Sequence, residues 1–142
     1  MFQLVRLHDR CNANRFSEAL QYVNDVRAAY PWSQKVYTAS NSQHVMLVQS
    51  GLHACGYVEP ELMRSDLSDA GQIYIYVHDL HIDPTRQQGG YGTDALRWLL
   101  RKGVELEFVV ANANRKVESL YKHFKYTVQH QAEDTSRIRV AP

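Results

Sequence analysis

The amino-acid sequence predicts a mixed α/β (α+β) domain, and three observations support that prediction. Strand-like runs of alternating apolar residues are interleaved with stretches whose apolar residues recur at helical spacing. One helical stretch, "TDALRWLLRKG", lies between two strand-like runs and therefore predicts a strand–helix–strand crossover. The length of 142 residues fits a single domain over residues 1–142.

The first half of the chain predicts a strand, a helix and a hairpin. "MFQLVRL" is typical of a short strand, and a helix is expected from Asn14 to Tyr30, where Pro31 ends it. "HVMLVQSGLHACGYVE" consists of two strand-like runs around Ser50-Gly51, which predicts a hairpin. "PELMRSDLSDAG" interrupts the pattern and predicts a loop.

The strand "QIYIYVHDLHIDP" contains a change of phase. Its apolar residues occupy odd positions up to Val77 and even positions from Leu80, which a regular strand of period two does not allow. One inserted residue restores the phase, so we predict a β-bulge near His78–Asp79. A strand buried on both faces is the alternative, since alternation then carries no meaning. The bulge would give one polar face: Tyr74, Tyr76, one of His78 or Asp79, His81 and Asp83.

The second half predicts two helices and three strands. The helix after the glycines is expected to end at Gly103, and "VELEFVVA" is expected to form a strand. "NRKVESLYKHF" has helical spacing, with Asn114 suited to the N-cap. "KYTVQHQ" and "RIRV" predict a closing hairpin.

Composition and charge limit the functions and the cellular compartment that are expected for this chain. Sixteen basic and fifteen acidic residues give a formal charge of +1, so no field that attracts nucleic acid or a membrane surface is expected. The N-terminus does not resemble a signal peptide, and no apolar run approaches a membrane span. Cys11 and Cys55 form no metal-type or redox-type pair, which favours reduced thiols, a cytoplasmic location and no metal.

The stretch "QQGGYG", residues 87–92, places three glycines between a strand and a helix. Such a loop presents unpaired backbone N–H groups at the positive end of a helix dipole, where a pyrophosphate fits. A tight turn without a ligand is the alternative. Neither the Walker pattern nor the dinucleotide-binding fingerprint matches.

Two motifs in succession resemble the GCN5-related N-acetyltransferase (GNAT) superfamily. "LHIDPTRQQGGYGTDALRWLL" resembles its acetyl-CoA motif, in which a strand ending in Leu-x-Val-x-Pro is followed by Arg/Gln-x-x-Gly-x-Gly/Ala and a helix. "NRKVESLYKHFKY" resembles Asn-x-x-Ala-x-x-x-Tyr-x-x-x-Gly-Phe, with Val117 replacing Ala and Lys125-Tyr126 replacing Gly-Phe. The resemblance covers roughly residues 72–126. It implies a mostly antiparallel sheet with a bulged, splayed central strand pair and flanking helices.

The resemblance also implies the cofactor contacts. The pantetheine arm of acetyl-CoA would pair with the strand around Leu80, His81 and Ile82, and Asn114 would bond to it, although a plain N-cap role competes. Gln87 takes the Gln rather than the Arg of the motif and so brings no charge; Arg86, one residue earlier, would supply a cation, and a solvated arginine is the alternative. The pyrophosphate would be held by the glycine turn, chiefly through backbone N–H groups: Gln87, Gln88, Gly89, Gly90, Tyr91, Gly92 and Thr93.

Tyr121 is the principal catalytic candidate, because a tyrosine at this position of the family lies near the thioester sulfur; a core role is the alternative. His78 is the candidate for the general base, since a histidine suits proton removal from an amine at neutral pH; a solvated polar residue is the alternative. Asp79, His81 and Asp83 are alternatives. Tyr76 stands where other members carry a glutamate.

These observations predict an N-acetyltransferase that moves an acetyl group from acetyl-CoA to a primary amine directly in a ternary complex. The alternatives are a non-catalytic module that binds CoA or a partner, and a transferase with another acyl donor. The acceptor would be a small amine, a peptide N-terminus or a protein lysine, and a homodimer is left open. Glu59, Glu61, Asp66 and Asp69 form either a solvated acidic loop or a site that attracts a cationic amine.

Overall fold

A computed structural model of the protein describes residues 1–9, 13–31, 33, 35–64, 72–111 and 115–142. The chain divides into two compact units. The first comprises Met1–Pro60 and Asp79–Ala95, and the second comprises Glu61–His78 and Leu96–Pro142. The prediction of one domain over residues 1–142 stays a prediction.

Within the described residues, seven strands form one sheet in the order β1-β2-β3-β4-β5-β7-β6. The β1·β2, β2·β3, β5·β7 and β6·β7 pairs are antiparallel, and the β4·β5 pair is parallel. The mixed, mostly antiparallel sheet expected from the sequence is therefore confirmed. The strands are β1 (Phe2–Arg6), β2 (Met46–Ser50), β3 (His53–Arg64), β4 (Ile73–Ile82), β5 (Glu105–Ala111), β6 (Tyr126–Gln131) and β7 (Thr135–Val140).

The part of the chain that the structure describes also contains three α-helices. They are α1 (Ala13–Ala28), α2 (Tyr91–Leu100) and α3 (Arg115–Tyr121), and short 3-10 turns cover Leu7–Asp9 and Pro84–Gly89. The predicted hairpin around Ser50-Gly51 is present as β2 and β3, and the closing hairpin as β6 and β7. Asn114, the predicted N-cap of α3, lies outside the described residues.

Each unit buries its own set of apolar side chains. In the first, residues of the first 3-10 turn, α1, the segment between α1 and β2, β2 and β3 form a cluster of eight buried side chains: Leu7, Ala19, Val23, Val26, Tyr37, Val45, Leu47 and Tyr57. In the second, the buried side chains come from β4, α2, β5, α3 and β7: Ile75, Val77, Leu96, Leu99, Leu106, Phe108, Tyr121, Ile138 and Val140. The helical spacing of Leu96 and Leu99 reflects this burial.

One sequence-based prediction is wrong in part. The stretch after Val58 was expected to form a loop from Pro60 onward, but β3 continues through Pro60 to Arg64. A proline weakens the signal of a strand because it lacks a backbone N–H. The pairing of a strand with its neighbours decides such cases, and pairing is not visible in the local sequence. Residues 65–71 of the predicted loop lie outside the described residues.

The β-bulge predicted in strand β4 stays a prediction, and the burial pattern and two side-chain contacts at that point agree with it. Its side chains are alternately buried up to Val77, and the regular alternation ends there. His78 pairs with Glu61, and the next residue, Asp79, accepts a hydrogen bond from Tyr57. Glu61 and Tyr57 are both odd-numbered residues of β3, so an inserted residue at His78–Asp79 accounts for both contacts.

The parallel β4·β5 ladder is short. It joins Tyr74–Tyr76 to Glu105–Glu107, although β4 continues to Ile82 and β5 to Ala111. A ladder that ends early is what a splayed strand pair requires. The backbone N–H and C=O groups of β4 beyond Tyr76 therefore do not pair with β5 in this ladder.

Candidate cofactor and catalytic site

The turn between β4 and α2 is organised by Asp83. Its Oδ1 atom accepts hydrogen bonds from the backbone N–H of Thr85 at 3.0 Å and from the Thr85 hydroxyl at 2.8 Å. Its Oδ2 atom accepts a hydrogen bond from the Tyr22 hydroxyl at 3.1 Å. Pro84, with its fixed φ, opens the 3-10 turn, and Gly90 closes it at φ +72°. Only a residue without a Cβ adopts that left-handed conformation at low cost.

A depression of about 420 Å³ lies over this turn. The backbone N–H of Asp94 already donates to the Gly90 carbonyl at 3.1 Å, whereas the first three N–H groups of an α-helix have no intrahelical acceptor. Arg86 supplies the one positive charge among the lining residues, and the α2 dipole adds partial positive charge. The turn therefore suits an anion such as a pyrophosphate. The lining residues are Pro84, Thr85, Arg86, Gln87, Gly89 and Tyr91.

Two glycines allow close approaches in the first unit. A Cβ on Gly89 would overlap the ring of Tyr91. A Cβ on Gly56 would overlap the backbone carbonyl of His81 and lie 2.8 Å from the Cα of Ile82. Since backbone atoms cannot rotate aside, Gly56 is what lets β3 approach the end of β4. The backbone N–H of Asp83 donates to the Cys55 carbonyl at 2.7 Å across that contact.

Tyr30 ties the end of β4 to the glycine turn. Its ring stacks on the His81 imidazole, with 4.2 Å between centroids and 19° between planes. Its hydroxyl donates to the Ile82 carbonyl and accepts from the Gln87 side-chain amide at 2.7 Å. The Gln87 side chain is thus an anchor of the turn. His81, Ile82 and Gln87, three predicted cofactor residues, thus all contact Tyr30, which was expected only to end the first helix.

Asp79 is the centre of a buried polar cluster in the first unit. Its carboxylate accepts hydrogen bonds from the hydroxyls of Tyr57 at 2.6 Å and Tyr37 at 3.0 Å. Its other oxygen lies 2.7 Å from Nε2 of His81. Burial by itself raises the pKa of Asp79, but the interactions with His81, Tyr57 and Tyr37 outweigh it and hold the pKa below its usual value.

The Tyr37 hydroxyl couples this cluster to a second carboxylate. It lies 2.9 Å from Oε1 of Glu59 as well as 3.0 Å from Asp79. One hydroxyl hydrogen serves only one carboxylate at a time, so the two acids are linked through it. Burial, followed by the charge of Asp79, raises the pKa of Tyr37, and the phenol stays neutral. Glu59 is only 4% exposed and is no part of a solvated loop.

In the second unit, His78 pairs with Glu61. The His78 Nε2 atom lies 2.8 Å from Glu61 Oε1, and both side chains are about one-third exposed. The Tyr76 ring lies edge-on to the His78 imidazole, with 4.8 Å between centroids. Burial and then the charge of Glu107 raise the pKa of Tyr76, so its phenol is neutral at neutral pH.

Tyr121 ends α3 among aromatic side chains of the second unit. It is 6% exposed and packs against Phe108 and Tyr126, with centroids 5.8 Å and 4.8 Å away. Burial, followed by the charges of Glu118 and Tyr126, raises the pKa of Tyr121 above 10. The residue is therefore a neutral hydrogen-bond donor throughout the physiological range.

The predicted site residues thus fall into two groups. The first unit holds the strand end and the glycine turn: Leu80, His81, Ile82, Gln87, Gln88, Gly89, Gly90, Tyr91, Gly92 and Thr93. Gly92 and Thr93 lie in the first turn of α2. His78 and Tyr121 belong to the second unit. Asn114 and the side chain of Gln88 lie outside what the structure describes.

Sequence reasoning missed Tyr30, Tyr37 and Tyr57 as members of the site region, and it named Glu59 only within an acidic group that is either solvated or attracts a cationic amine. The sequence contains only a weak signal for these residues. Tyr57 and Glu59 alternate on a strand adjoining β4, but their partners are distant in sequence. Among the described residues, no group of three His, Cys, Asp or Glu side chains is arranged to hold a metal ion. Nor does that part of the chain contain a helix long and apolar enough to cross a membrane.

The chain belongs to the acetyltransferase (GNAT) family, whose family model matches residues 4–126. A comparison with curated proteins finds no match. Among solved structures, Arabidopsis thaliana Naa50 bound to the bisubstrate analogue CoA-Ac-MVNAL is 14% identical, with a TM-score of 0.65 and 97% of each chain covered.

Two further solved structures share this fold. Arabidopsis thaliana NAA60 in complex with acetyl-CoA is 13% identical, with a TM-score of 0.63, 99% of this chain and 97% of that chain covered. The ribosomal-protein-S18-alanine N-acetyltransferase of Escherichia coli is 14% identical, with a TM-score of 0.64, 99% of this chain and 94% of that chain covered. At these identities the likeness shows the fold alone.

Proposed function

We propose that this protein is an N-acetyltransferase that moves an acetyl group from acetyl-CoA to a primary amine by direct transfer in a ternary complex. The observation that carries the proposal is the Asp83-anchored glycine turn that opens α2 in a chain of the GNAT family. Solved structures of the same fold contain acetyl-CoA and a CoA-based bisubstrate analogue.

The glycine turn would hold the pyrophosphate through backbone N–H groups of residues 88–90, 92 and 93. Arg86 adds a charge beside them, and its place in the depression supports that role. The backbone around Leu80 and Ile82 would pair with the pantetheine arm. The Ile82 carbonyl already accepts from Tyr30, but a carbonyl oxygen has a second lone pair. Asn114 as a further pantetheine ligand stays a prediction.

Acetyl-CoA would supply the acetyl group as a thioester. In the proposal, His78 removes the proton of the attacking amine, with Glu61 holding the imidazole. Tyr121 donates a hydrogen bond where negative charge develops on sulfur. Full proton transfer from a phenol near pKa 10 to a thiolate of pKa about 8.5 is uphill by about 2 kcal/mol. The raised pKa of Tyr121 increases that cost, so the residue stabilises charge by hydrogen bonding.

Release of free CoA thiol tests the function directly. The protein is incubated with acetyl-CoA and a lysine derivative, a peptide with a free N-terminus or a polyamine, and acetylated product is identified by mass spectrometry. We expect amine-dependent thiol release. Calorimetric binding of acetyl-CoA without turnover on any amine would make the chain a non-catalytic module instead. Turnover only with longer acyl-CoAs would show that the enzyme transfers a longer acyl group instead of acetyl.

A further inference from the structure

Glu59 is a buried carboxylate that faces an exposed ammonium group. The Lys35 Nζ atom lies 2.7 Å and 3.0 Å from the two carboxylate oxygens. The Glu59 side chain is 5% exposed, whereas the Lys35 side chain is 43% exposed. The carboxylate is therefore fixed in the interior, and the cation reaches it from solvent. A buried carboxylate requires such a cation, because an unpaired charge there is strongly destabilising.

The ring of Tyr37 forms a second wall around the same ammonium. Lys35 Nζ lies 4.8 Å from the ring centroid, within the range of a cation–π contact. The ring is held in place, since Asn24 exchanges two hydrogen bonds with the Tyr37 backbone, at 2.8 Å and 2.9 Å. A fixed carboxylate beside a fixed aromatic face is a site that recognises a primary ammonium.

We propose that Glu59 and Tyr37 form the binding site for the primary ammonium of a lysine-type acceptor, and that Lys35 occupies this site in the free protein. The inference rests on the proposed function and names its substrate class. Lys35 is itself an unbranched alkylammonium, so the ammonium of an acceptor lysine fits the same carboxylate and the same ring. Tyr37 also bonds to Asp79 on β4, which links the ammonium site to the strand whose end the resemblance assigns to the cofactor.

Chemical rescue tests the ammonium site without turnover. Lys35→Ala leaves Glu59 without its cation, and we expect its Tm to fall by several degrees. Methylammonium chloride should restore the Tm in a saturable manner, whereas sodium chloride and tetramethylammonium chloride at equal ionic strength should not. The double variant Lys35→Ala/Glu59→Gln should not respond. Lys122→Ala is the matched control, since Lys122 forms a salt bridge with Glu118 in which both side chains are exposed. A Tm of Lys35→Ala indifferent to methylammonium overturns the site.

A second measurement uses the wild-type protein, in case Lys35→Ala does not fold. Methylammonium should displace Lys35, so the NMR signal of its Nζ group should move towards that of a solvated lysine, while the signal of Lys122 stays unchanged. A Lys35 signal that does not move at saturating methylammonium contradicts the proposal.

Kinetics then connect the site to the acceptor. With a blocked lysine derivative as acceptor, Glu59→Gln should raise KM by about tenfold, the loss of one charge-assisted hydrogen bond. Lys35→Ala should lower KM, because the competing ammonium is gone, and the KM for acetyl-CoA should stay constant. Rescue by methylammonium with an unchanged acceptor KM would overturn the acceptor role. Absence of turnover with every amine would instead refute the proposed function, whatever the rescue result.

Discussion

The His81 imidazole stacks on the Tyr30 ring, and the Tyr30 hydroxyl bonds both to Ile82 and to Gln87. A single residue that follows α1 thus fixes the end of β4 and the start of the glycine turn. Both segments are assigned to the cofactor by the family resemblance. Binding of acetyl-CoA should therefore depend on a tyrosine outside both sequence motifs.

Tyr30→Phe keeps the stacked ring and removes both hydroxyl contacts. Each hydrogen bond contributes about 1 kcal/mol, so the Kd for acetyl-CoA should rise about five- to tenfold and the free energy of unfolding should fall by about 1–2 kcal/mol. Calorimetry and urea denaturation measure the two effects. Tyr74→Phe, which keeps its ring beside Arg139, should leave the Kd unchanged. An unaltered Kd in Tyr30→Phe would show that the turn does not need this anchor.

Gly90→Ala and Gly103→Ala form a matched pair. Both glycines have a left-handed φ, +72° and +77°, and open space where a Cβ would lie. Each substitution should cost about 1 kcal/mol of unfolding free energy, because an L-residue is strained in that conformation. Only Gly90→Ala should also weaken acetyl-CoA binding, since it lies in the proposed pyrophosphate turn. Equal losses of affinity in the two variants would contradict the placement of the cofactor.

Asp79→Asn should change how stability depends on pH. Although burial raises the pKa of Asp79, its hydrogen bonds lower it below the unfolded value of about 3.9. The ionised Asp79 side chain therefore contributes to the free energy of unfolding above pH 3.9, and this contribution is lost as the pH falls through the lower pKa of the folded state. Urea denaturation from pH 6 to pH 2 should show an acid-dependent loss in the wild type that is smaller in Asp79→Asn. Asp134→Asn, in the β6–β7 turn, should retain the wild-type profile.

Tyr121→Phe separates catalysis from packing. The contacts with Phe108 and Tyr126 are made by the ring, so stability should change by less than about 1 kcal/mol. Loss of the donor should lower kcat by about 10²-fold. Because the pKa of Tyr121 is raised from its usual value, the hydroxyl should stay protonated at neutral and mildly alkaline pH. Tyr126→Phe is the control, and a kcat equal to wild type in Tyr121→Phe would leave the residue only a core role.

His78→Ala tests the general base. Removal of a positioned base should lower kcat by about 10²-fold or more at neutral pH. Glu61→Gln should lower kcat less, because it removes the partner at 2.8 Å and keeps the imidazole. His130→Ala, on the exposed strand β6, should have no effect on steady-state rates. If His78→Ala turns over as fast as wild type, the base is sought among Asp79, His81 and Asp83.

The elements that could be predicted from the sequence are those determined by neighbouring residues. Helix α2, the hairpins and the glycine turn could be predicted because their signals lie within a few neighbouring residues. Gly90 is an example, since the turn needs a left-handed residue directly before the helix. The phase change in β4 was also visible locally, as apolar positions that switch parity between Val77 and Leu80.

The tertiary structure alone decided which polar groups meet. Tyr37 and Asp79 are 42 positions apart, and Tyr37 and Glu59 are 22 apart. No local periodicity encodes such contacts, because they depend on the path of the segment after α1 and on the alignment of β3 with β4. The sequence by itself thus determined a GNAT fold and a glycine turn directly before α2. Only the folded chain determined that Glu59 is buried rather than solvated, because its contacts with Lys35 and Tyr37 join residues that are 24 and 22 positions apart in the sequence.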